Sequence, residues 1–236
     1  VARDVYERLG CNVIELYGEL DGSFPNHHPD PSKLENMEDL IKSVKENDSV
    51  VGLAFDGDAD RLGVISPKGE MIYPDRQMIM FSRQIIQSSP NAKIVFDVKC
   101  SKLLSDEIEK LNGKPLMCKT GHTFIKQKIR ETGALLGGEM SGHIFFNDRW
   151  PGFDDGIYAG ARMLEIIANS EEDDQFATVP YMLSTPEINI PAADEEKFQI
   201  VETFVENSKF NDAKIVSIDG IRVEFDRGWG LLRASN

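Results

Sequence analysis

Asp56-Gly57-Asp58-Ala59-Asp60-Arg61 sets three carboxylates at alternate positions, with only Gly and Ala between them and a guanidinium at the end. Three such charges repel one another in a bare protein. A hard divalent cation removes the conflict, because Mg²⁺ takes oxygen ligands in near-octahedral geometry and keeps positions for water or a phosphate oxygen. The plainer reading is an Asp/Gly turn between two strands. Asp-Gly alone would fit that turn, but three alternating Asp closed by Arg point to a metal, with Asp56, Asp58 and Asp60 as its ligands.

A second cluster, Gly137-Gly138-Glu139-Met140-Ser141-Gly142-His143, uses glycines to present three polar side chains together. Glu139 and Ser141 suit hydrogen bonds to neutral hydroxyls such as those of a sugar, and His143 suits proton transfer near neutral pH. The plain alternative is a Gly-rich hairpin turn, which needs none of the three. Lys119-Thr120-Gly121-His122 sits at a predicted helix entry, a place where backbone N–H groups bind anions. Lys99 follows an apolar strand, where a solvated edge residue is the ordinary reading. Arg233-Ala234-Ser235-Asn236 could clamp phosphate through the planar donor fork of Arg, although all three polar types are common in loops.

The elements that must hold these residues alternate helix and strand. Residues 2–9 read as a helix stopped by Gly10, and residues 12–17 as a short strand. Residues 18–31 are loop, and Ser32 with Glu35 gives a capping-box pattern for a helix carrying Leu34, Met37, Leu40, Ile41 and Val44. The strand from Val50 then delivers the Asp cluster at its carboxyl end, where open α/β sheets bind ligands. Helices are predicted over 74–87, 101–111, 123–131 and from Asp154 or Asp155 to 167. Strands are predicted over 93–98, 115–118, 134–136 and 144–147. The acidic run from Glu171 to Asp174 reads as a solvated loop.

From Leu183 the pattern changes to a helix over 195–207, with Phe198, Val201, Phe204 and Val205 inward. Asp219-Gly220 signals a two-residue hairpin between strands at 214–218 and 221–225, and 229–233 reads as a further strand. The expected fold class is α/β: two consecutive α/β domains with mixed sheets (1–70 and 71–182), then the start of a smaller α+β domain (183–236). The opening Val1 and the strand-like stretch just before Asn236 suggest an internal segment of something longer.

Hydrophobic residues at 41% and charged residues at 28% describe a folded soluble chain of 236 residues. A net charge of −14 repels nucleic acid and anionic membrane, so neither is an expected partner. An anionic substrate then requires a metal and a few basic residues to invert the field locally. Three widely spaced cysteines, Cys11, Cys100 and Cys118, suggest reduced thiols and a cytoplasmic setting.

Taken together, the Asp loop, the Gly-Glu-Met-Ser-Gly-His loop and the Gly-Trp-Gly-Leu-Leu-Arg-Ala-Ser-Asn ending resemble the α-D-phosphohexomutase superfamily. They are most similar to its bacterial phosphomannomutase/phosphoglucomutase branch. Gly is the more usual residue in that family at the Ala59 position, and Met140 resembles the mannose/glucose branch where phosphoglucosamine mutases carry Gln. The resemblance implies a reversible phosphoryl transfer between positions 1 and 6 of a hexose, through a phosphoserine and a bisphosphorylated sugar. It implies Mg²⁺ on Asp56, Asp58 and Asp60, with Arg61 on the transferring phosphoryl group. Lys99, His122, Glu139, Ser141 and His143 would then hold the sugar. His143 is the first candidate for general base or acid, and Lys99 the second. Arg233, Ser235 and Asn236 would grip the phosphate that is not reacting.

The Ser-His-Asn-Pro-like loop that carries the family's phosphoserine is absent from these 236 residues. The expectation is a truncated domain 2, a complete domain 3 and part of domain 4, inactive when isolated. A haloacid-dehalogenase-type phosphatase also uses Asp-x-Asp after a strand, but Asp60 stands where that family usually has Thr or Val. An EF-hand loop fails because Arg61 and Pro67 occupy its Gly and bidentate Glu positions. A catalytically dead sugar-phosphate-binding domain remains an alternative.

Overall fold

The computed structural model describes residues 1–19, 21–172 and 174–235. Helix α1 (Ala2–Arg8) is followed by an irregular stretch. A 3₁₀ turn (Leu34–Met37) then leads into α2 (Glu38–Glu46). Strands β1 (Gly52–Phe55), β2 (Leu62–Ile65) and β3 (Met71–Ile72) form an antiparallel meander in that order. The Asp loop is therefore the connection of an antiparallel pair, with Phe55 opposite Leu62, and not the mouth of an open parallel sheet.

All four residues of β2 are buried because both faces are covered. Ile65 packs with Met37 and Val44 under α2, whereas Leu62 and Val64 face the larger core. That larger core continues through α3 (Pro74–Ser88), whose Met78, Phe81 and Ile85 are fully buried. One hydrophobic cluster thus joins the first α/β unit to the second.

In the second unit β4 (Lys93–Asp97), α4 (Lys102–Lys110), β5 (Lys114–Cys118), α5 (His122–Thr132), β6 (Leu136–Gly138), β7 (Ile144–Phe146) and α6 (Gly156–Ala168) follow in order. The sheet order is β5-β4-β6-β7. The first three strands are parallel and β7 is antiparallel, so the sheet is mixed as expected. Period-2 alternation sends Ile94 and Phe96 into the main core and Val95 to Ile125 and Ile129 of α5. Ser101 caps α4 by accepting from Leu103 N–H, and Asp155 caps α6 through Tyr158 N–H. Among the described residues no helix is long and apolar enough to cross a membrane.

The last piece holds α7 (Lys197–Asn207) and an antiparallel sheet of β8 (Lys214–Val216), β9 (Ile221–Phe225) and β10 (Gly228–Leu232). It docks through Arg222, which is fully buried. The guanidinium donates from Nη1 to the carbonyls of Val98 (2.7 Å) and Cys100 (2.6 Å), pairs through Nε with Glu224, and lies 4.0 Å from the Trp229 ring centroid.

Several local expectations are corrected. Residues 12–17 form no strand: no other strand pairs with them, and Tyr17 turns to φ +55. Ser32 spends its hydroxyl on Asp30 (2.7 Å), so the capping box does not form and α2 begins only at Glu38. Gly137 and Gly138 belong to β6 rather than to the loop. A Cβ at Gly138 would lie 2.5 Å from the Met78 sulfur, so α3 packs too closely for a side chain there. The β8–β9 connection is four residues, 217–220, not two. No residue of α7 is buried, and Phe198 and Phe204 stay half exposed, because periodicity supplies an apolar face but not a surface to cover it. Asp174 of the acidic run is not a free solvated charge: it caps the 3₁₀ turn at Gln175–Thr178 and pairs with Lys68 at 2.8 Å. Asp173 lies outside the described residues.

Candidate active site

Asp56 directly follows β1 and its two oxygens are claimed by Arg61. The Arg61 backbone N–H donates to Oδ1 (3.1 Å) and Nε donates to Oδ2 (2.6 Å), while Nη1 reaches Asp30 at 3.2 Å. A tight turn, with Ala59 at φ +60 and its N–H bonded to the Asp56 carbonyl, folds Asp58 and Asp60 back beside Asp56. One carboxylate oxygen from each of the three lies within 4.8 Å of the others. Burial, then the charges of Asp56, Asp58 and Asp154, pushes the Asp60 carboxyl up to about 6. Burial works against the Asp56 charge too, but the Arg61 hydrogen bonds outweigh it and hold that carboxyl below its usual range. Three hard oxygen donors, one of them pushed high by burial and by the neighbouring carboxylates, fit a divalent cation.

The Gly loop is fastened directly onto the Asp loop. Leu62 N–H donates to the Gly142 carbonyl at 3.1 Å, and Arg61 and His143 form an antiparallel bridge. Gly156, at the start of α6, donates to the Ala59 carbonyl at 2.9 Å; a Cβ there would lie 2.8 Å from the Arg61 carbonyl oxygen. Gly142 sits at φ +105, a conformation that favours glycine. His143 is thereby set over the carboxylates, with Nδ1 3.2 Å from Asp154 Oδ2 and 3.5 Å from Asp60 Oδ1. Burial holds its imidazole below the ordinary value, against the pull of Glu139 and Asp154. Asp154 keeps its charge against burial chiefly because Lys126 donates to it at 3.0 Å.

The His122 ring stacks on His143 at 5.6 Å, with its Nδ1 3.5 Å from Asp154. Glu139 accepts from Gly121 N–H (2.6 Å) and from the Ser141 hydroxyl (3.0 Å). Asp56, Asp58, Asp60, Arg61, His122, Glu139, Ser141 and His143 thus form one connected group. Lys99 stands one loop away, with Nζ 2.7 Å from Glu187. Arg233 bonds Asp219 through Nε (3.1 Å), and the same Asp219 oxygen accepts from Thr120 N–H (3.2 Å), which brings the last strand to the His122 loop. Ser235 follows Arg233 and has interactions of its own. Asn236 lies outside the described residues.

Sequence reasoning missed three acids. Asp154 gave only a helix-cap signal, whereas Asp155 is the cap and Asp154 faces the histidines. Asp30 was lost in a loop dense in Pro and His, although it holds Arg61. Asp97 closes β4 and is fully buried; its strand-end position was the only hint.

The family model for phosphoglucomutase/phosphomannomutase alpha/beta/alpha domain II matches residues 1–69, and that for domain III matches residues 73–178. A phosphomannomutase/phosphoglucomutase of Pseudomonas syringae pv. tomato is 52% identical over 238 residues, covering 100% of this chain and 51% of that protein. A phosphoglucomutase of Neisseria gonorrhoeae is 51% identical, covering 100% of this chain and 52% of that protein. A crystal structure of a phosphoglucomutase/phosphomannomutase family protein from Burkholderia thailandensis superposes with a TM-score of 0.94 at 46% identity, covering 100% of this chain and 50% of its own. The chain belongs to the phosphoglucomutase/phosphomannomutase family. It spans about half the length of the curated relatives it matches.

Proposed function

We propose that the protein carrying this chain is a Mg²⁺-dependent mutase. It would interconvert 1- and 6-phosphates of mannose or glucose through a phosphoserine and a hexose 1,6-bisphosphate. The observation that supports the reading best is the Leu62–Gly142 hydrogen bond, which joins the loop of Asp56, Asp58 and Asp60 to the loop of Glu139, Ser141 and His143. Asp56, Asp58 and Asp60 would hold Mg²⁺, which when bound supplies electrostatic stabilisation of the phosphoryl oxygens. Three Asp, one divalent cation and Arg61 sum to zero charge, so an incoming phosphate meets no net repulsion from the loop.

Arg61, held by Asp56 through Nε and by Asp30 through Nη1, would offer its Nη2 to the transferring phosphoryl group. Glu139, Ser141, His122 and Lys99 bind sugar hydroxyls, and Arg233, Ser235 and Asn236 take the second phosphate. His143 turns Nδ1 toward Asp154 and, held neutral by burial, can accept a proton at Nε2 from the attacking hydroxyl. Phosphoryl transfer demands mostly positioning and charge stabilisation, which this equipment provides.

These 236 residues contain no Ser-His-Asn-Pro-like loop, so the serine donor is assigned to another part of the protein and the isolated segment is expected to turn nothing over. A division of this chain at 1–70, 71–182 and 183–236 is part of the same reading, and the family matches at 1–69 and 73–178 support its first two units. The three free thiols suit a cytoplasmic enzyme. ³¹P NMR of glucose 1-phosphate or mannose 1-phosphate with the purified full protein should show a 6-phosphate appearing only with Mg²⁺. A folded protein that produces none, or that works equally well in EDTA, contradicts the reading.

A further inference from the structure

We propose that Asp97 is a positioning residue that locks the three sugar-facing loops to one another. The inference rests on the sugar-binding reading of Lys99, His122, Glu139 and Ser141. Asp97 ends β4, the strand that lies between β5 and β6, so the loops after all three parallel strands converge on it. Its Oδ1 accepts from the Cys100 thiol (3.2 Å) and from Met140 N–H (3.3 Å), and its Oδ2 accepts from the Thr120 hydroxyl (3.0 Å).

Each partner neighbours a sugar candidate. Cys100 follows Lys99, Met140 stands between Glu139 and Ser141, and Thr120 precedes His122 by two positions. All three partners are donors, and an ionised carboxylate, which only accepts, satisfies them together. A charge at this depth is costly: burial pushes the Asp97 carboxyl above its usual range, and Asp97 in turn raises Glu139. An apolar residue would fill a strand end without that cost, so the carboxylate serves the loops and not the packing.

The experiment compares Asp97→Ala, Asp97→Asn and Thr120→Val in the full protein, with Val44→Ala as a core truncation away from the loops. Readouts are kcat/KM for glucose 1-phosphate, the melting midpoint, and amide exchange at 120–122 and 139–141. Asp97→Ala removes all three bonds and leaves the Met140 N–H unpaired. A loss of about 100-fold in kcat/KM is expected, the scale of an ångström-sized misplacement of binding groups. In Asp97→Asn the Thr120 hydroxyl can rotate to accept from the amide, so activity recovers to within about tenfold of wild type. Thr120→Val removes one bond and costs about five- to tenfold, while Val44→Ala lowers the melting midpoint with kcat/KM within about twofold of wild type.

Faster amide exchange at both loops in Asp97→Ala supports the proposal. If Asp97→Ala loses no more activity than Val44→Ala at matched stability, Asp97 is structural only and the proposal falls. If Asp97→Ala does not fold, Thr120→Val decides: unchanged kcat/KM and unchanged exchange at 139–141 overturn it. A wild-type protein without turnover counts against the mutase reading, and the exchange data then test the hub by themselves.

Discussion

Leu62 and Gly142, eighty residues apart, share a 3.1 Å backbone hydrogen bond that sews the Asp loop of one unit to the Gly loop of the next. The site is therefore a product of the junction between units, and most of its expected sensitivities follow from how that junction is held.

Gly156 is pinned between two carbonyls of the Asp loop, with no room for a methyl group. Gly156→Ala is expected to push residues 59–61 away from α6. The cost is about 1–3 kcal/mol, as for other overpacking, together with weaker Mg²⁺ binding. Thermal denaturation and isothermal titration with MgCl₂ check the two effects.

Ala59 pays for its left-handed backbone, which costs an L-residue about 1–2 kcal/mol. Ala59→Gly relieves that strain and gives back part of the gain through a more flexible unfolded chain. A net stabilisation of about 0.5–1 kcal/mol is expected, seen as a rise of a few degrees in the melting midpoint.

Asp60, titrating at about 6, has a sign opposite to that of Asp56 and Asp154. The folded metal-free protein holds this proton more tightly than the unfolded chain does. Ionising Asp60 therefore costs stability that grows as pH rises from about 4 to about 6 and stays constant above. Asp56 and Asp154, held low, contribute stability above the unfolded carboxylate range and lose it as pH falls through their depressed values. Mg²⁺ competes with the Asp60 proton, so its affinity should fall about tenfold per pH unit below 6. Asp60→Asn should raise the metal-free melting midpoint at pH 7.5 and abolish the rise that MgCl₂ gives the wild type.

Arg222 carries the docking of the last sheet on the Val98–Cys100 turn. Arg222→Ala leaves two carbonyls and the Glu224 Oε1 without their Arg222 donor, and breaking such a buried pair costs about 3–5 kcal/mol. Limited proteolysis should cut within 197–232 first in the variant, and at no such early site in wild type.

The sequence made the Asp loop legible because its crowding is local: three like charges in five residues need no fold to look wrong. The Glu139–His143 loop was legible for the same reason, as a polar set among glycines. Most helices and the four strands of the mixed sheet followed from periodicity and caps such as Ser101.

What stayed hidden depends on partners far along the chain. Asp97 meets Thr120 and Met140, and Asp154 meets His143 and Lys126, only once β4, β6 and α5 are assembled. The false capping box had a similar origin, since Ser32 had a nearer partner in Asp30. The apolar stripe of α7 gave a correct helix and a wrong burial, because a stripe states which face is apolar but not what covers it.

The general-base role of His143 is tested by turnover of hexose 1-phosphate by the full protein and its His143→Asn variant, with sugar-phosphate binding measured alongside. Loss of a general base costs about 10²- to 10⁴-fold. A fall of that size in kcat is expected, with affinity within a few-fold of wild type. A His143→Asn protein with undiminished kcat would contradict that role.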